Sequence, residues 1–468
     1  MRYISTRGSA PALSFDEVLL AGLARDGGLY VPEAWPQFSA EEIRAMRGLS
    51  YDELAVRVMR PFVAGAIDDE VFAAAVKSAY RTFGHSAVTP LVQLDRQHWL
   101  LELHHGPTLA FKDVALQLLG RLFDIVLAKR GERVTVVGAT SGDTGSAALE
   151  ACRDRDRVNI TILYPHGRVS EVQRRQMTTV DSANAGTVAI EGTFDDCQDM
   201  VKAMFADAAF RDETNLSAVN SINWARVMAQ IVYYFAAALQ LGAPDRPVAF
   251  AVPTGNFGNV YAAYGARAMG LPIARLVVGT NSNDILDRFF RTGTMRTGGV
   301  TPTLSPSMDI QISSNFERLL FDLFGRDGGK TDQIMRMFRS EGWFGVTAGQ
   351  LAEAREIFAS ARCDDETTRA VIAATHRNTG LVVDPHTAVG LAAAGSAQID
   401  RGIPVVTLAC AHPAKFPDAV EAATGLRPGL PARVADLFDR PERITVMKND
   451  LKAVQEHVRR FARGRAAA

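Results

Sequence analysis

The chain has 468 residues, of which 47% are hydrophobic and 22% charged, and its 51 basic residues nearly balance 52 acidic ones. This length and composition predict a globular protein of two or three domains, and the net charge of −1 argues against a polyanionic partner such as nucleic acid. The four cysteines lie far apart without a CxxC pair, which predicts neither a disulfide framework nor a zinc site and favours a reduced, cytoplasmic setting.

Membrane attachment is not predicted. The first 20 residues lack the apolar core of a signal peptide, and no run of 18 apolar residues occurs. The nearest candidate, 227–243, is interrupted by Gln230 and Gln240, so we interpret it as a buried helix.

The first 85 residues are predicted to form a mainly helical N-terminal domain, with 86–468 as the second region. Helical spacing of apolar residues occurs at 15–24 and 40–48, with Ser14 and Ser39 as N-caps. The intervening DGGLYVP predicts a turn and a short extended piece. No cluster of chemically reactive residues occurs here.

From residue 99 onward, short β-type segments alternate with helical ones. This pattern predicts an α/β protein with two parallel-sheet domains covered by helices, and a helical insertion near 315–380. Strands are predicted at 99–105, 133–139, 159–165, 187–192, 247–253, 274–280 and 404–410, and helices at 114–131, 146–154, 195–210 and 259–270.

Two strand ends lead into glycine-rich loops, where open α/β sheets bind ligands. The loop in GATSGDTGSAALEA, 138–151, offers N–H groups and hydroxyls to a carboxylate or phosphate, and equally fits a turn with Asp143 or Thr144 as helix cap. In FAVPTGNFGNVYAAY, 250–264, Gly255 and Gly258 let successive N–H groups wrap a single phosphate. Dinucleotide binding is the weaker interpretation there, because the pattern is shorter than GxGxxG.

A third strand end, LACAHPAKFPDAV at 408–420, contains His412 and Lys415. A catalytic role is as open for each as its alternative, which is a structural, hydrogen-bonded side chain for His412 and a solvated surface side chain for Lys415. Cys410 lies where the strand ends, and by default it is a small buried apolar residue.

Lys112, in HHGPTLAFKD, is the candidate for covalent catalysis. A lysine can bond to an aldehyde cofactor if burial lowers the pKa of its ammonium group. A reactive lysine, a phosphate-binding loop and a carboxylate-binding loop together are what pyridoxal phosphate and an amino-acid substrate require.

Four motifs, HGPTLAFKD, GATSGDTGSAA, PTGNFGN and AHPAKF, together resemble the threonine synthase family. The segment ending in DGGLYVP is similar to that family's N-terminal domain, so the resemblance extends over essentially the whole chain. It implies a pyridoxal-phosphate enzyme of fold type II, like the β subunit of tryptophan synthase.

The resemblance implies that Lys112 forms the covalent bond to the cofactor. Cys410 would face the pyridine nitrogen, at a position where the family usually has Thr, and its thiol is a weak donor that leaves the nitrogen unprotonated. The cofactor phosphate would be bound mainly by backbone N–H groups of Gly255, Asn256, Phe257, Gly258 and Asn259.

The substrate carboxylate would bind to Ser141, Gly142, Asp143 and Thr144, beside the cofactor's 3-hydroxyl. Related enzymes of this fold often carry Asn where this chain has Asp143. A carboxylate beside a phenolate oxygen is repulsive unless one of the two is protonated.

The substrate phosphate would contact Asn220, Ser221 and Arg226, because Arg forms charge-assisted, bidentate bonds to phosphate. A salt bridge on the helix surface is the alternative for Arg226. The segment 384–393 is also family-like, without a role for Asp384 or His386.

The implied activity is that of a carbon–oxygen lyase acting on a phosphate. It would convert O-phospho-L-homoserine and water to L-threonine and phosphate, the final step of threonine biosynthesis, in a cytoplasmic monomer or homodimer. The alternatives are a serine or threonine dehydratase, which lacks a substrate phosphate site, and a non-catalytic homologue that binds phosphorylated metabolites. A dinucleotide-dependent dehydrogenase is disfavoured by the incomplete glycine pattern.

Overall fold

The N-terminal region combines helices with a small sheet. The structure, a computed structural model, describes residues 1–217 and 220–463. Its first elements are β1 (Tyr3–Ser5), α1 (Phe15–Ala21), β2 (Tyr30–Pro32), α2 (Ala40–Arg44), α3 (Tyr51–Val63) and α4 (Asp69–Tyr80). Ser14 and Ser39 lie at the N-caps of α1 and α2, as predicted. The extended piece is β2, which pairs antiparallel with β1.

The remaining elements alternate between strands and helices, as the sequence predicts. The first of them are β3 (Leu91–Gln93), β4 (His98–Glu102), α5 (Lys112–Arg130), β5 (Val134–Ala139), α6 (Asp143–Cys152), β6 (Val158–Pro165), α7 (Glu171–Thr178), β7 (Ala185–Glu191), α8 (Phe194–Ala206), α9 (Ala208–Thr214), β8 (Leu216–Ser217), α10 (Trp224–Gln240), β9 (Val248–Pro253) and α11 (Gly258–Ala268). The others are β10 (Ile273–Thr280), α12 (Ile285–Thr292), β11 (Thr294–Arg296), α13 (Phe316–Leu323), α14 (Gly328–Glu341), β12 (Trp343–Gly345), α15 (Ala348–Ile357), β13 (Phe358–Arg362), α16 (Asp365–Thr379), α17 (Pro385–Ser396), β14 (Val405–Ala409), α18 (Pro417–Thr424), β15 (Thr445–Lys448) and α19 (Leu451–Arg463).

Two open sheets form the centre of the second region. One has the strand order β13-β10-β9-β14-β4-β3, in which only β3 runs antiparallel to its neighbour. The other has the order β15-β7-β6-β5-β8 and is wholly parallel. Strands β6 and β9 are buried along their whole length, which is typical of parallel strands covered on both faces. The predicted fold class is confirmed.

Two predicted segments differ from the structure. The single helix expected over 195–210 is divided, because the Asp207 side chain accepts a hydrogen bond from the Phe210 N–H at 3.1 Å and so caps a second helix, α9. The segment 315–380 is not purely helical, since it contains β12 and also β13, which is the edge strand of the larger sheet. A division into domains at residue 85 stays a prediction.

The apolar run at 227–243 falls largely on α10, which is buried almost throughout and packs on α3, α5 and α11. It is therefore a core helix, as predicted. Among residues 1–217 and 220–463, no helix combines the length and apolar character needed to cross a bilayer.

The topology places four loops where the two sheets face each other. Neighbouring strands β4, β14 and β9 run parallel, so the chain segments leaving them emerge at one edge of the larger sheet. These segments lead to Lys112, Cys410 and the loop at 255–259. Strand β5 of the other sheet leads to the loop at 141–144.

Candidate active site

Lys112 is the first residue of α5 and is held by a rigid approach loop. The Thr108 backbone N–H and hydroxyl donate to the Asp113 carboxylate at 2.8 and 2.7 Å. The Phe111 N–H donates to the Cys410 carbonyl at 2.8 Å, which ties the loop to the end of β14. Both ends of the loop are therefore fixed, and the Lys112 residue is only 7% exposed.

The surroundings of Lys112 favour its neutral amine. Burial is the main cause that lowers the pKa of its ammonium group, and the cations of Lys415 and Arg226 lower it further. Asp143 opposes them, with its Oδ2 atom 3.5 Å from Lys112 Nζ. A lysine with a lowered pKa is suited both to bonding an aldehyde and to moving protons near neutral pH.

Asp143 begins α6 and is an ionised carboxylate. Its Oδ1 atom lies 2.9 Å from Lys415 Nζ and accepts a hydrogen bond from Gln173 Nε2 at 2.9 Å. Its Oδ2 atom accepts a hydrogen bond from Ser307 Oγ at 3.3 Å. Burial would raise its pKa, but the charges of Lys415 and Lys112 outweigh burial and hold the pKa well below its usual range.

The loop before α6 is shaped by Thr140 and Gly142. Thr140 Oγ1 accepts hydrogen bonds from the N–H groups of Gly142 at 3.0 Å and Gly145 at 2.9 Å. Gly142 is the N-cap, so the alternative prediction of Asp143 or Thr144 as the cap is wrong. Ser141 is exposed and Thr144 half-buried, so neither side chain is locked into the core.

Gly142→Ala is expected to reduce activity as well as stability. Gly142 has φ of 142°, and a Cβ there would lie 2.4 Å from the Gln173 side chain that holds Asp143. Strain of this kind costs about 1–3 kcal/mol, and relief requires Gln173 to move away from the carboxylate. The measurements are the free energy of unfolding and kcat.

Gly131→Ala is the matched control, since Gly131 also has a positive φ, 68°, but a Cβ there meets no atom within 4 Å. It is expected to lose about 1 kcal/mol of stability and to keep the kcat of the wild type. Equal kcat in the two variants would show that the fit of Gly142 against Gln173 does not matter for activity.

The loop at 255–259 is fixed by the segment before α13. Ser313 Oγ donates to the Gly255 carbonyl at 2.7 Å, and both the N–H and the Nδ2 of Asn315 donate to the Asn256 carbonyl at 3.0 Å. The N–H groups of Gly258 and Asn259, in the first turn of α11, have no acceptor within the helix. The loop therefore presents N–H groups at a helix N-terminus, which suits a phosphate.

The five predicted phosphate-binding residues are not equivalent. Phe257, at φ of 59°, turns its ring into an aromatic cluster, and its N–H donates to Thr254 Oγ1 at 3.2 Å. It is therefore the least suited of the five to bind a ligand. The Asn259 Oδ1 atom accepts hydrogen bonds from the Tyr233 and Tyr234 hydroxyls, whereas its Nδ2 is buried and finds no partner among the described residues.

Arg226, on α10, is a buried cation for which the described part of the chain shows no ion pair. It is 4% exposed, and its Nε and Nη1 atoms have no hydrogen-bond partner in the described part of the chain. Desolvation lowers the pKa of its guanidinium to about 10. The alternative prediction of a surface salt bridge is wrong, because the side chain is inside the protein and its charge reaches Lys112.

Asn220 and Ser221 lie beside the loop at 255–259. Asn315 Nδ2 donates both to the Ser221 carbonyl at 3.2 Å and to the Asn256 carbonyl at 3.0 Å, so one side chain joins the two predicted phosphate-binding groups. The Asn220 Oδ1 atom is buried and lacks a partner within 1–217 and 220–463. Ser221 Oγ lies 3.1 Å from Ser314 Oγ.

Cys410 is buried behind Lys112 as a neutral thiol. Burial is the main cause that raises its pKa, and the Asp384 carboxylate adds to it. Its Sγ atom lies 3.7 Å from the Leu408 carbonyl, and its N–H donates to Thr387 Oγ1 at 3.2 Å. The position fits the predicted contact with a ring nitrogen, which stays a prediction.

Several site residues were not predicted from the sequence. Gln173 and Ser307 contact Asp143 from distant parts of the chain, and neither lies in a recognisable motif. His386 Nδ1 lies 2.8 Å from Asp384, while its Nε2 accepts the Ser307 N–H at 3.3 Å, which positions the serine. His412 takes the structural role, since its Nδ1 accepts from the Ala414 N–H at 3.2 Å and caps a turn.

Family models cover most of the chain. The model of the threonine synthase N terminus matches residues 2–80, that of pyridoxal-phosphate dependent enzymes matches 82–342, and that of the threonine synthase C-terminal region matches 387–458. The chain is 60% identical over 459 residues to a threonine synthase from Pseudomonas aeruginosa, with 98% of each chain covered. A threonine synthase from Methylobacillus glycogenes is 45% identical, with 98% of this chain and 99% of that one covered.

Solved structures agree with these sequence matches. A threonine synthase from Brucella melitensis with bound pyridoxal phosphate has a TM-score of 0.98 at 55% identity, covering 99% of this chain and 100% of that one. Yeast threonine synthase has a TM-score of 0.94 at 40% identity, covering 99% of both chains. The fold and the site thus define a pyridoxal-phosphate-dependent lyase of fold type II. Within that class, the chain belongs to the threonine synthase family.

The residues present fit pyridoxal phosphate. Lys112 is a buried amine with a lowered pKa, as a bond to the cofactor aldehyde requires. The N-terminus of α11 supplies N–H groups for a phosphate, and the unpartnered Asn259 Nδ2 adds a buried donor beside them. The predicted cofactor is confirmed by the family match.

Proposed function

We propose that this chain converts O-phospho-L-homoserine and water to L-threonine and phosphate. The observation that carries the proposal is Arg226, a buried guanidinium whose Nε and Nη1 find no partner among the described residues. Its charge also lowers the pKa of Lys112. An uncompensated buried cation is costly unless an anion binds it. A dehydratase acting on serine or threonine has no use for such a site.

Lys112 moves the protons of the reaction. When bound, pyridoxal phosphate withdraws electrons from the substrate Cα and so acidifies the protons at Cα and Cβ. The Lys112 amine takes the Cα proton, and further proton transfer at Cβ lets phosphate leave Cγ with the C–O electron pair. A proton returns to Cγ, the oxygen of water adds at Cβ, and Cα is protonated again. The lowered pKa of Lys112 suits an amine that both accepts and donates protons.

The other site residues bind and orient the substrate and the cofactor. Ser141, Gly142 and Thr144 hold the substrate carboxylate at the N-terminus of α6, supported by the N–H-rich loop there. Asn220, Ser221 and Arg226 hold the substrate phosphate and stabilise its departure as an anion. The cofactor is held by Lys112, Asp143, Cys410 and the loop of Gly255, Asn256, Phe257, Gly258 and Asn259.

The products test this proposal. Incubation with O-phospho-L-homoserine is expected to release phosphate and L-threonine in equal amounts, measured by a coupled phosphate assay and amino-acid chromatography. Formation of a keto acid in place of threonine would indicate a dehydratase. Cofactor binding without any turnover would indicate a non-catalytic homologue.

We further propose that the enzyme works in the cytoplasm as a monomer or homodimer, without a nucleic-acid partner. The cytoplasmic setting is supported by Cys152, Cys197, Cys363 and Cys410, all buried free thiols. The near balance of 51 basic and 52 acidic residues supports the absence of a polyanionic partner.

A further inference from the structure

Lys415 is a cation fixed inside the protein, so the alternative prediction of a solvated lysine is wrong. It is 0% exposed, and its Nζ atom lies 2.8 Å from the Thr108 carbonyl, 2.9 Å from Gln176 Oε1 and 2.9 Å from Asp143 Oδ1. An ammonium group has three donors, so these three oxygens satisfy it completely. Gln176 Nε2 also donates to the Thr108 carbonyl at 3.0 Å, which closes the arrangement. Lys415 therefore has no spare donor for substrate in this arrangement.

Each of the two carboxylate oxygens of Asp143 faces a different lysine. Lys415 lies 2.9 Å from Oδ1, and Lys112 lies 3.5 Å from Oδ2. The charge of Lys112 changes whenever its amine accepts a proton, donates one or bonds to the cofactor, whereas the charge of Lys415 does not. A buried carboxylate that depended on Lys112 alone would lose its counter-charge at each of these events, at a cost of several kcal/mol.

We propose that Lys415 is a positioning residue: its ammonium group is the permanent counter-charge of Asp143 and thereby keeps Lys112 available as a neutral amine. This inference rests on the proposed function in one respect, which is the reaction that the Lys112 amine serves. If Asp143 lay beside the cofactor's 3-hydroxyl, as the resemblance implies, the counter-charge of Lys415 would offset the repulsion between the carboxylate and a phenolate oxygen. The Asp143–Lys415 pair is neutral as a unit, as an asparagine would be.

The other charged groups near the pair do not replace Lys415. His386 is engaged elsewhere, because its Nδ1 lies 2.8 Å from Asp384 Oδ2 and its Nε2 accepts the Ser307 N–H. Arg226 acts on Lys112 and lowers its pKa in the same direction as Lys415. The remaining contacts of Asp143, from Gln173 and Ser307, are neutral hydrogen bonds.

The test uses the cofactor-free protein and measures the pKa of Lys112 from the pH dependence of its labelling by acetic anhydride, followed by mass spectrometry of its peptide. Lys415→Met is expected to raise that pKa by about 1 or more, because it removes a repelling cation and leaves Asp143 to Lys112 alone. Asp143→Asn is expected to lower the pKa of Lys112, because the carboxylate that stabilises the Lys112 ammonium group is then absent while the Lys415 cation remains. Lys129→Met, at an exposed position on α5, is the control and is expected to leave it unchanged.

The double variant Asp143→Asn/Lys415→Met covers the case in which Lys415→Met fails to fold. It has no unpaired charge at either position, and its Lys112 pKa is expected to exceed that of Asp143→Asn. If Lys415→Met leaves the Lys112 pKa where it is in the wild type, or the double variant matches Asp143→Asn, the inference is overturned. Turnover of O-phospho-L-homoserine by the wild type is measured separately, so failure of the proposed function is distinguishable from failure of this inference.

Discussion

Lys112→Ala is expected to abolish turnover of O-phospho-L-homoserine and the visible absorbance of the bound cofactor. The variant lacks both the amine that bonds the aldehyde and the base that moves the substrate protons, so kcat should fall by at least about 10³-fold. Lys112→Arg keeps a long basic side chain but cannot form the bond, so it should lose the absorbance as well. Absorbance spectra and steady-state rates at saturating pyridoxal phosphate are the measurements.

Lys202→Ala is the control for Lys112→Ala. Lys202 is exposed on α8, where it pairs with Asp199, so its loss should leave both absorbance and kcat unchanged. Retention of the visible band in Lys112→Ala would mean that another lysine bonds the cofactor.

Arg226→Met is expected to weaken substrate binding and to stabilise the ligand-free protein. Loss of the charge-assisted bonds should raise KM for O-phospho-L-homoserine about 10²-fold, corresponding to about 3 kcal/mol, with a smaller effect on affinity for pyridoxal phosphate. Because the guanidinium is buried with unpartnered nitrogens, replacing it by an apolar side chain should raise the free energy of unfolding by about 1–3 kcal/mol.

Inorganic phosphate separates these two effects. With the cofactor site filled by pyridoxal phosphate, it should raise Tm of the wild type and leave Tm of Arg226→Met unchanged, because only the wild type then has a free anion site. Arg57→Met, at an exposed position on α3, should behave like the wild type in every measurement. Equal losses of substrate and cofactor affinity in Arg226→Met, together with lower stability, would assign Arg226 a structural role.

The loops that follow parallel strands were predictable from the sequence. Lys112, Asp143, the 255–259 loop and Cys410 each lie just after or near a strand that the alternating pattern identifies, and parallel strands bring such loops to one edge. For Arg226 the sequence left two alternatives open, a contact with the substrate phosphate and a surface salt bridge. An Arg at the start of a helix gives the same sequence pattern whether that helix lies on the surface or, like α10, inside the core.

The charge arrangement around Asp143 was not predictable from the sequence. Gln173, Ser307 and Lys415 reach Asp143 from α7, from the loop before α13 and from the turn after β14, and no spacing rule relates those positions. The sequence showed that a carboxylate at Asp143 needs a compensating proton or charge beside a phenolate oxygen, but not that Lys415, 272 residues further along the chain (415 − 143), lies next to it. Such pairs depend on tertiary packing.

The most direct test of the central claim is a reaction run in ¹⁸O-labelled water, with both products analysed by mass spectrometry. If phosphate leaves by cleavage of the Cγ–O bond and water adds at Cβ, threonine should carry one ¹⁸O in its side chain and the initially released phosphate should carry none. Labelled phosphate together with homoserine would show cleavage of the P–O bond instead, and would contradict the assignment of this site to elimination and water addition.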